Sequence, residues 1–97
     1  MAKTPKVIRA QTIMSLFRSV LDPNGTRHID FDAPITKYVM GGAGAVRSFA
    51  NRLNKSPQFK GYGLSLVPGD MADVATVEDV GAVIIAWFQQ NNWRVRL

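Results

Sequence analysis

Tyr62-Gly63-Leu64-Ser65-Leu66-Val67-Pro68-Gly69-Asp70-Met71-Ala72-Asp73-Val74-Ala75-Thr76-Val77-Glu78-Asp79-Val80, continued by an apolar run to Asn91, is the most clearly punctuated part of the chain. It reads as a short extended segment, a turn and a capped helix. Thr76 is a good N-cap, its hydroxyl able to accept from an amide near Asp79, and Glu78 and Asp79 place negative charge at the positive end of the helix dipole. The spacing is that of a capping box with Asp in place of Glu. Within the helix Val77, Val80, Ile84 and Phe88 form one stripe that must face a core, and Val83 and Trp87 form a second row beside it. A stripe this wide predicts packing against two neighbours, or a Trp87 left for a partner.

Outward from this helix, the 97-residue length supports one small domain with a single core. Hydrophobic residues make up 46% and charged residues 20%, which excludes a disordered chain. Cysteine is absent, which removes disulfides and thiolate chemistry and fits a reducing cytoplasm, the expected location. Twelve Lys and Arg against seven Asp and Glu give a net charge of +5, which points to anionic partners: an acidic protein face, nucleic acid or an anionic membrane surface. The longest apolar run, Val80 to Phe88, falls far short of the roughly 20 residues that span a bilayer. Lys3, Lys6, Arg9 and Arg18 with no acid before Leu21 resemble a transit peptide in composition, but the same segment is needed as a structural helix.

Upstream, residues 1–6 are a polar lead expected to fray. Val7 to Leu21 carries Ala10, Ile13, Phe17 and Val20 at helical spacing, joined by Met14 and Leu21, and predicts a first helix stopped at Asp22-Pro23-Asn24-Gly25. Thr26 to Gly44 is a long connection with Ile29, Phe31, Ile35, Tyr38 and Val39 as anchors that staple it down. A second helix is expected from Ala45, with Val46, Phe49, Ala50 and Leu53 inward, Arg47, Arg52 and Lys55 toward water, and its end at Ser56-Pro57. Gln58 to Gly61 reads as a mobile link. Residues 7–91 thus form one helical domain, and residues 92–97 a tail in which Trp93-Arg94-Val95-Arg96-Leu97 alternates apolar and basic like an edge strand.

In this order the segments resemble an acyl carrier protein. Ile29-Asp30-Phe31-Asp32-Ala33-Pro34-Ile35 is similar to that family's loop pattern, with Val39 where the leucine before the active-site turn stands. Tyr62-Gly63-Leu64-Ser65-Leu66 with Pro68 and Asp70 is similar to its aromatic-Gly-Ile-x-Leu-Pro-x-x-Asp segment with one extra residue, Val67. Val74-Ala75-Thr76-Val77-Glu78-Asp79-Val80 matches the start of its last helix. The resemblance covers about nine-tenths of the chain and implies an all-α four-helix bundle: three main helices, a short third segment and a long first loop.

The resemblance also implies a serine in Asp-Ser-Leu that carries phosphopantetheine, and here the chain departs from it. The turn Gly41-Gly42-Ala43-Gly44-Ala45-Val46 puts Ala43, or with a longer loop Ala45, at the serine position. Alanine offers no nucleophile. Ser48, flanked by Arg47 and Phe49, is the nearest hydroxyl, so no cofactor is expected unless phosphopantetheine is attached there. The family's second helix is usually acidic, whereas Arg47, Arg52, Lys55 and Lys60 make this one basic and invert the docking charge.

Other chemistry finds little support in the sequence. His28, the single histidine, stands beside Asp30 and Asp32, which on a loop cap and solvate rather than form a metal or acid-base site. Gly41-Gly42-Ala43-Gly44 before a helix, with Arg47, suggests a weak anion site but lacks the Lys and Ser/Thr of a P-loop. No catalytic or metal residues are therefore assigned. The leading expectation is a non-enzymatic interaction module in which Arg47, Arg52, Lys55 and Lys60, with Trp87 and Trp93, grip an acidic protein surface. The alternatives are a nucleic-acid-binding domain, in which Trp93, Tyr38 or Phe59 stack on bases, and a true carrier on Ser48.

Overall fold

Each apolar stripe becomes the buried side of a helix in the computed structural model, which describes residues 6–26 and 28–97. The lead Met1 to Pro5 lies outside the described residues. Helix α1 (Ala10–Leu21) buries Ile13, Phe17, Val20 and Leu21; α2 (Gly42–Lys55) buries Val46, Phe49, Ala50 and Leu53; α4 (Val77–Gln90) buries Val77, Val80, Gly81, Ile84 and Phe88. Between them, α3 (Pro57–Lys60) is a single turn, Pro57 at its start and Phe59 fully buried. Residues 58–61, expected as a mobile link, are therefore anchored, because Phe59 supplies one of the largest buried side chains in the core.

Two expectations about the helices are corrected. Helix α1 begins at Ala10, three residues later than the spacing suggests, and α2 begins at Gly42, three residues earlier. At α2 the chain enters the helix through Gly41 at φ +114° and Gly42 at φ +79°, left-handed conformations that glycine adopts without penalty. A Cβ on Gly41 would also lie 2.9 Å from that of Ala45. Glycine is used differently at Gly81, where a Cβ would meet the Met14 sulfur at 2.5 Å, so its absence lets α4 lie close against α1.

The molecule is mostly helical but not all-α. Strand β1 (Lys6–Arg9) pairs in parallel with β2 (Trp93–Arg96), register Lys6 with Trp93 through Arg9 with Arg96. Val7 and Ile8 are β-branched and favour extended backbone, and Arg9 enters α1 from it at φ −84°, ψ 142°. Their partner strand lies at the other end of the chain, so helical periodicity read through Val7 gives no sign of the pairing. Lys6, expected as part of the lead, and Val7 to Arg9, expected as helix, make one strand of this ribbon, and the alternating residues 93–96 of the tail make the other.

The long connection docks on the start of α4. Val77 and Glu78 donate their amides to the carbonyls of Ala33 (3.0 Å) and Phe31 (2.9 Å), and the Ile35 amide donates to Ala75 (2.9 Å). The Asp79 amide donates to Thr76 Oγ1 at 3.2 Å, while the Ala75 and Thr76 amides donate to Asp79 Oδ2 at 2.9 and 3.0 Å. The orphan donors of this helix end are thus used internally. Thr76→Ala should cost about 1 kcal/mol, read as a lower urea midpoint at unchanged slope.

Those bonds also set the Asp79 titration. The Thr76 amide first, then the Ala75 amide, hold its carboxyl below the ordinary value of 3.8. A depressed folded value means the contribution is complete above the unfolded value and is lost as the pH falls through the folded one. The stability gap between the native chain and Asp79→Asn should therefore be wide at pH 7 and narrow below pH 3.8, as measured by urea midpoints across that range.

Candidate interaction surfaces

Helix α2 has its apolar residues on one side, so the rest of its circumference faces water. Arg47, Ser48, Asn51, Arg52 and Lys55 are all exposed, within an arc of roughly 140° at 100° per residue. No acidic residue occurs in the helix. Arg47 and Lys55 stand about 12 Å apart along it. Arg52 is partly committed: its Nη2 donates to the Val20 carbonyl at 3.3 Å, and its guanidinium lies 5.5 Å from the centre of the Phe49 ring. Val20 belongs to the last turn of α1, so this cation satisfies a free carbonyl at the negative end of that helix.

Beside these cations, where the ends of α1 and α2 meet the start of α3, an open groove of about 520 Å³ is lined by Val20, Pro23, Pro57 and Gln58, with Arg52 and Lys55 at its edge. The groove is therefore largely apolar within and basic at the margin. Lys60 is exposed at the far end of α3 and does not line it.

The two tryptophans lie on other surfaces. Trp93, half-buried, forms a triangle of edge-to-face rings with Tyr62 (5.5 Å) and Phe88 (5.4 Å), and the Lys6 ammonium sits 5.4 Å from its centre. Trp87 packs edge-on against Phe88 at 5.2 Å and lines a shallow cleft of about 170 Å³ with Leu66, Asp70 and Val83. Of the six residues expected to grip a partner, Arg47, Arg52 and Lys55 thus share the α2 surface, while Lys60, Trp87 and Trp93 lie off that helix.

Ser48 is the seventh residue of α2, exposed, two turns in rather than at the helix start. Ala43 occupies the exposed first turn. The Gly41 cap has no side-chain hydrogen bond to the first amides, and the turn contains no acid.

His28, Asp30 and Asp32 border an open cleft of about 570 Å³ with Arg18 and Glu78. Asp30 Oδ1 accepts the Asp32 amide at 3.0 Å, and Tyr38 Oη accepts the Asp30 amide at 3.0 Å, which are loop-ordering bonds. Among the described residues no group of three or more His, Cys, Asp and Glu is placed to hold a metal, and no helix is long and apolar enough to cross a membrane.

No protein-family model, curated protein or solved structure matches the chain.

Sequence reasoning found the α2 cations from their spacing. It missed the groove, because Val20, Pro23 and Pro57 come from three segments and each carries only a local signal, as helix residue or turn proline.

Proposed function

We propose that this chain is a non-enzymatic interaction module on an acyl-carrier-like helical scaffold, with no prosthetic arm, that binds an acidic protein segment through α2. The observation that carries the reading is the basic arc of Arg47, Arg52 and Lys55 beside an apolar groove. A segment with carboxylates flanking one large apolar side chain would match it: the side chain loses water in the groove while the carboxylates meet Arg47 and Lys55. Arg52, anchored to Val20, holds its guanidinium at the groove edge without a further ordering cost.

A displayed library of random 12-residue peptides tests this. Selected sequences should carry Asp or Glu around Leu, Phe or Trp, and Arg47→Glu/Lys55→Glu should weaken their binding by more than tenfold. Amide shifts on binding should centre on Val20, Arg52 and Ser56. Failure to select acidic peptides, or binding indifferent to the two charge reversals, refutes the reading. Incubation with coenzyme A and a promiscuous phosphopantetheinyl transferase should leave the intact mass unchanged; a gain of one phosphopantetheine that Ser48→Ala abolishes would replace it with a carrier function.

A further inference from the structure

The outer face of the β1–β2 ribbon holds an arrangement that folding alone does not explain. Side chains alternate across a strand, so the pairing puts Val7, Arg9, Arg94 and Arg96 on one face and Lys6, Ile8, Trp93 and Val95 on the other. Ile8 is buried and Trp93 and Val95 are half-buried, which identifies the second face as the inward one. On the outward face Arg9 stands directly opposite Arg96, with Arg94 one pleat away and no acid on either strand. Like charges opposed across strands are destabilising. Three exposed arginines gathered in this way are a cost unless an anion sits among them.

The ribbon also borders a concavity. Arg9, Thr12, Tyr62, Trp93 and Arg96 line an open cleft of about 550 Å³, which brings two of the three arginines beside two aromatic side chains. Arg94 and Arg96, two residues apart, are separated by roughly 6.6 Å at the rise of a strand, close to the spacing of consecutive phosphates along an extended nucleic-acid chain. Val7, 54% exposed, stands opposite Arg94 and one pleat from Arg9 as an apolar contact for a sugar or base. A thin polyanion that carries flat rings fits a concave site with guanidinium groups on one side and aromatics on the other. A bilayer presents a broad flat face, and an acidic protein strand would leave the rings unused.

We propose that this ribbon binds single-stranded nucleic acid, its phosphates held by Arg9, Arg94 and Arg96 and a base set against Tyr62 and Trp93. The site is distinct from the α2 surface: the ribbon adjoins the first turn of α1 and the groove adjoins its last, some 18 Å of helix apart.

The test is fluorescence anisotropy of a labelled 15-residue oligothymidylate with the full chain across a salt series. Three phosphate contacts on a single strand should give a slope of log K against log salt of about −2. Arg9→Gln/Arg96→Gln should weaken binding on the order of fiftyfold at 50 mM salt and reduce the slope to about −0.7, while Arg9→Lys/Arg96→Lys keeps the slope. Arg47→Gln/Lys55→Gln should leave affinity within about twofold, so this site and the α2 reading can fail separately. Because the Gln pair relieves repulsion, its melting temperature should equal or exceed that of the native chain. The proposal is overturned by no binding at 50 mM salt, by equal losses in the ribbon and α2 variants, by a clear fall in melting temperature of the Gln pair, or by retention on phosphatidylserine vesicles without retention of the oligonucleotide.

Discussion

Phe88→Ala is expected to lower stability by about 4 kcal/mol, the largest effect of any single truncation considered. Phe88 is fully buried in the last turn of α4, and its ring meets those of Tyr62 at 5.5 Å, Trp87 at 5.2 Å and Trp93 at 5.4 Å. Truncating a buried Phe costs roughly 3–5 kcal/mol through lost transfer energy and the cavity left behind. Edge-to-face ring pairs add to this, but Tyr62 and Trp93 also touch each other, so the losses overlap and the upper half of that range is the reasonable figure.

For a domain whose total stability is about 5–15 kcal/mol, that loss removes between a quarter and most of it. At a urea slope near 1 kcal/mol/M the midpoint should fall by about 4 M, leaving the variant partly unfolded in buffer if the native chain is at the low end. Phe88→Leu, which keeps much of the volume, should cost under about 1.5 kcal/mol. The rings also join α4 to the ribbon through Trp93, so the near-ultraviolet dichroism of the indoles should weaken even where helical content persists. A midpoint shift worth less than about 1.5 kcal/mol for the alanine variant at unchanged slope would show that the triangle does not bear on the core as described.

What the sequence disclosed followed the range of the signals. The start of α4 was legible because Thr76 and Asp79 act within one turn, and both bonds of their box form. The inward face of α2 was legible because Val46, Phe49, Ala50 and Leu53 repeat at the helical period. The anchors Ile29, Ile35 and Val39 in the long connection are buried as their isolation in a polar stretch implied. The alternation of residues 93–96 marked them as a strand, but their pairing with Lys6–Arg9 was not legible, since Val7 was absorbed into the helical period of α1 and the two partners lie at opposite ends of the sequence. Nor was the turn at Pro57: proline ends α2 by restricting Ser56, and the same ring then starts α3 at its first position. The groove was hidden because a concavity belongs to several elements together, whereas the charges on its edge belong to one.

Asn54 shows the same limit in a single polar residue, and its replacement should have the second-largest effect. Its Nδ2 donates to the Leu66 carbonyl at 2.8 Å and its Oδ1 accepts the Leu66 amide at 2.8 Å, so one side chain closes both backbone groups of a buried residue. Local pattern cannot disclose this, because Asn54 occupies the margin between the wet and apolar sides of α2, where a polar residue needs no explanation. In Asn54→Ala both groups lose their partner at about 1–3 kcal/mol each, so a total of about 3 kcal/mol is expected once partial hydration is allowed for. Asn54→Asp discriminates between lost bonds and lost packing. Ionised, it accepts from the Leu66 amide but presents a second oxygen to the Leu66 carbonyl; protonated, it donates there and restores the clamp. Its folded carboxyl should therefore titrate above the usual aspartate value of about 3.9. The sign follows: the deficit is full at pH 7 and shrinks as the pH falls toward 4, because here the variant gains stability on acidification, whereas the gap at Asp79 narrows because the native chain loses it. Urea midpoints of Asn54→Asp and the native chain across pH 4–7 would test this, and an Asn54→Asp deficit that stays flat or deepens on acidification would mean that the segment at Leu66 is held by something other than this pair of bonds.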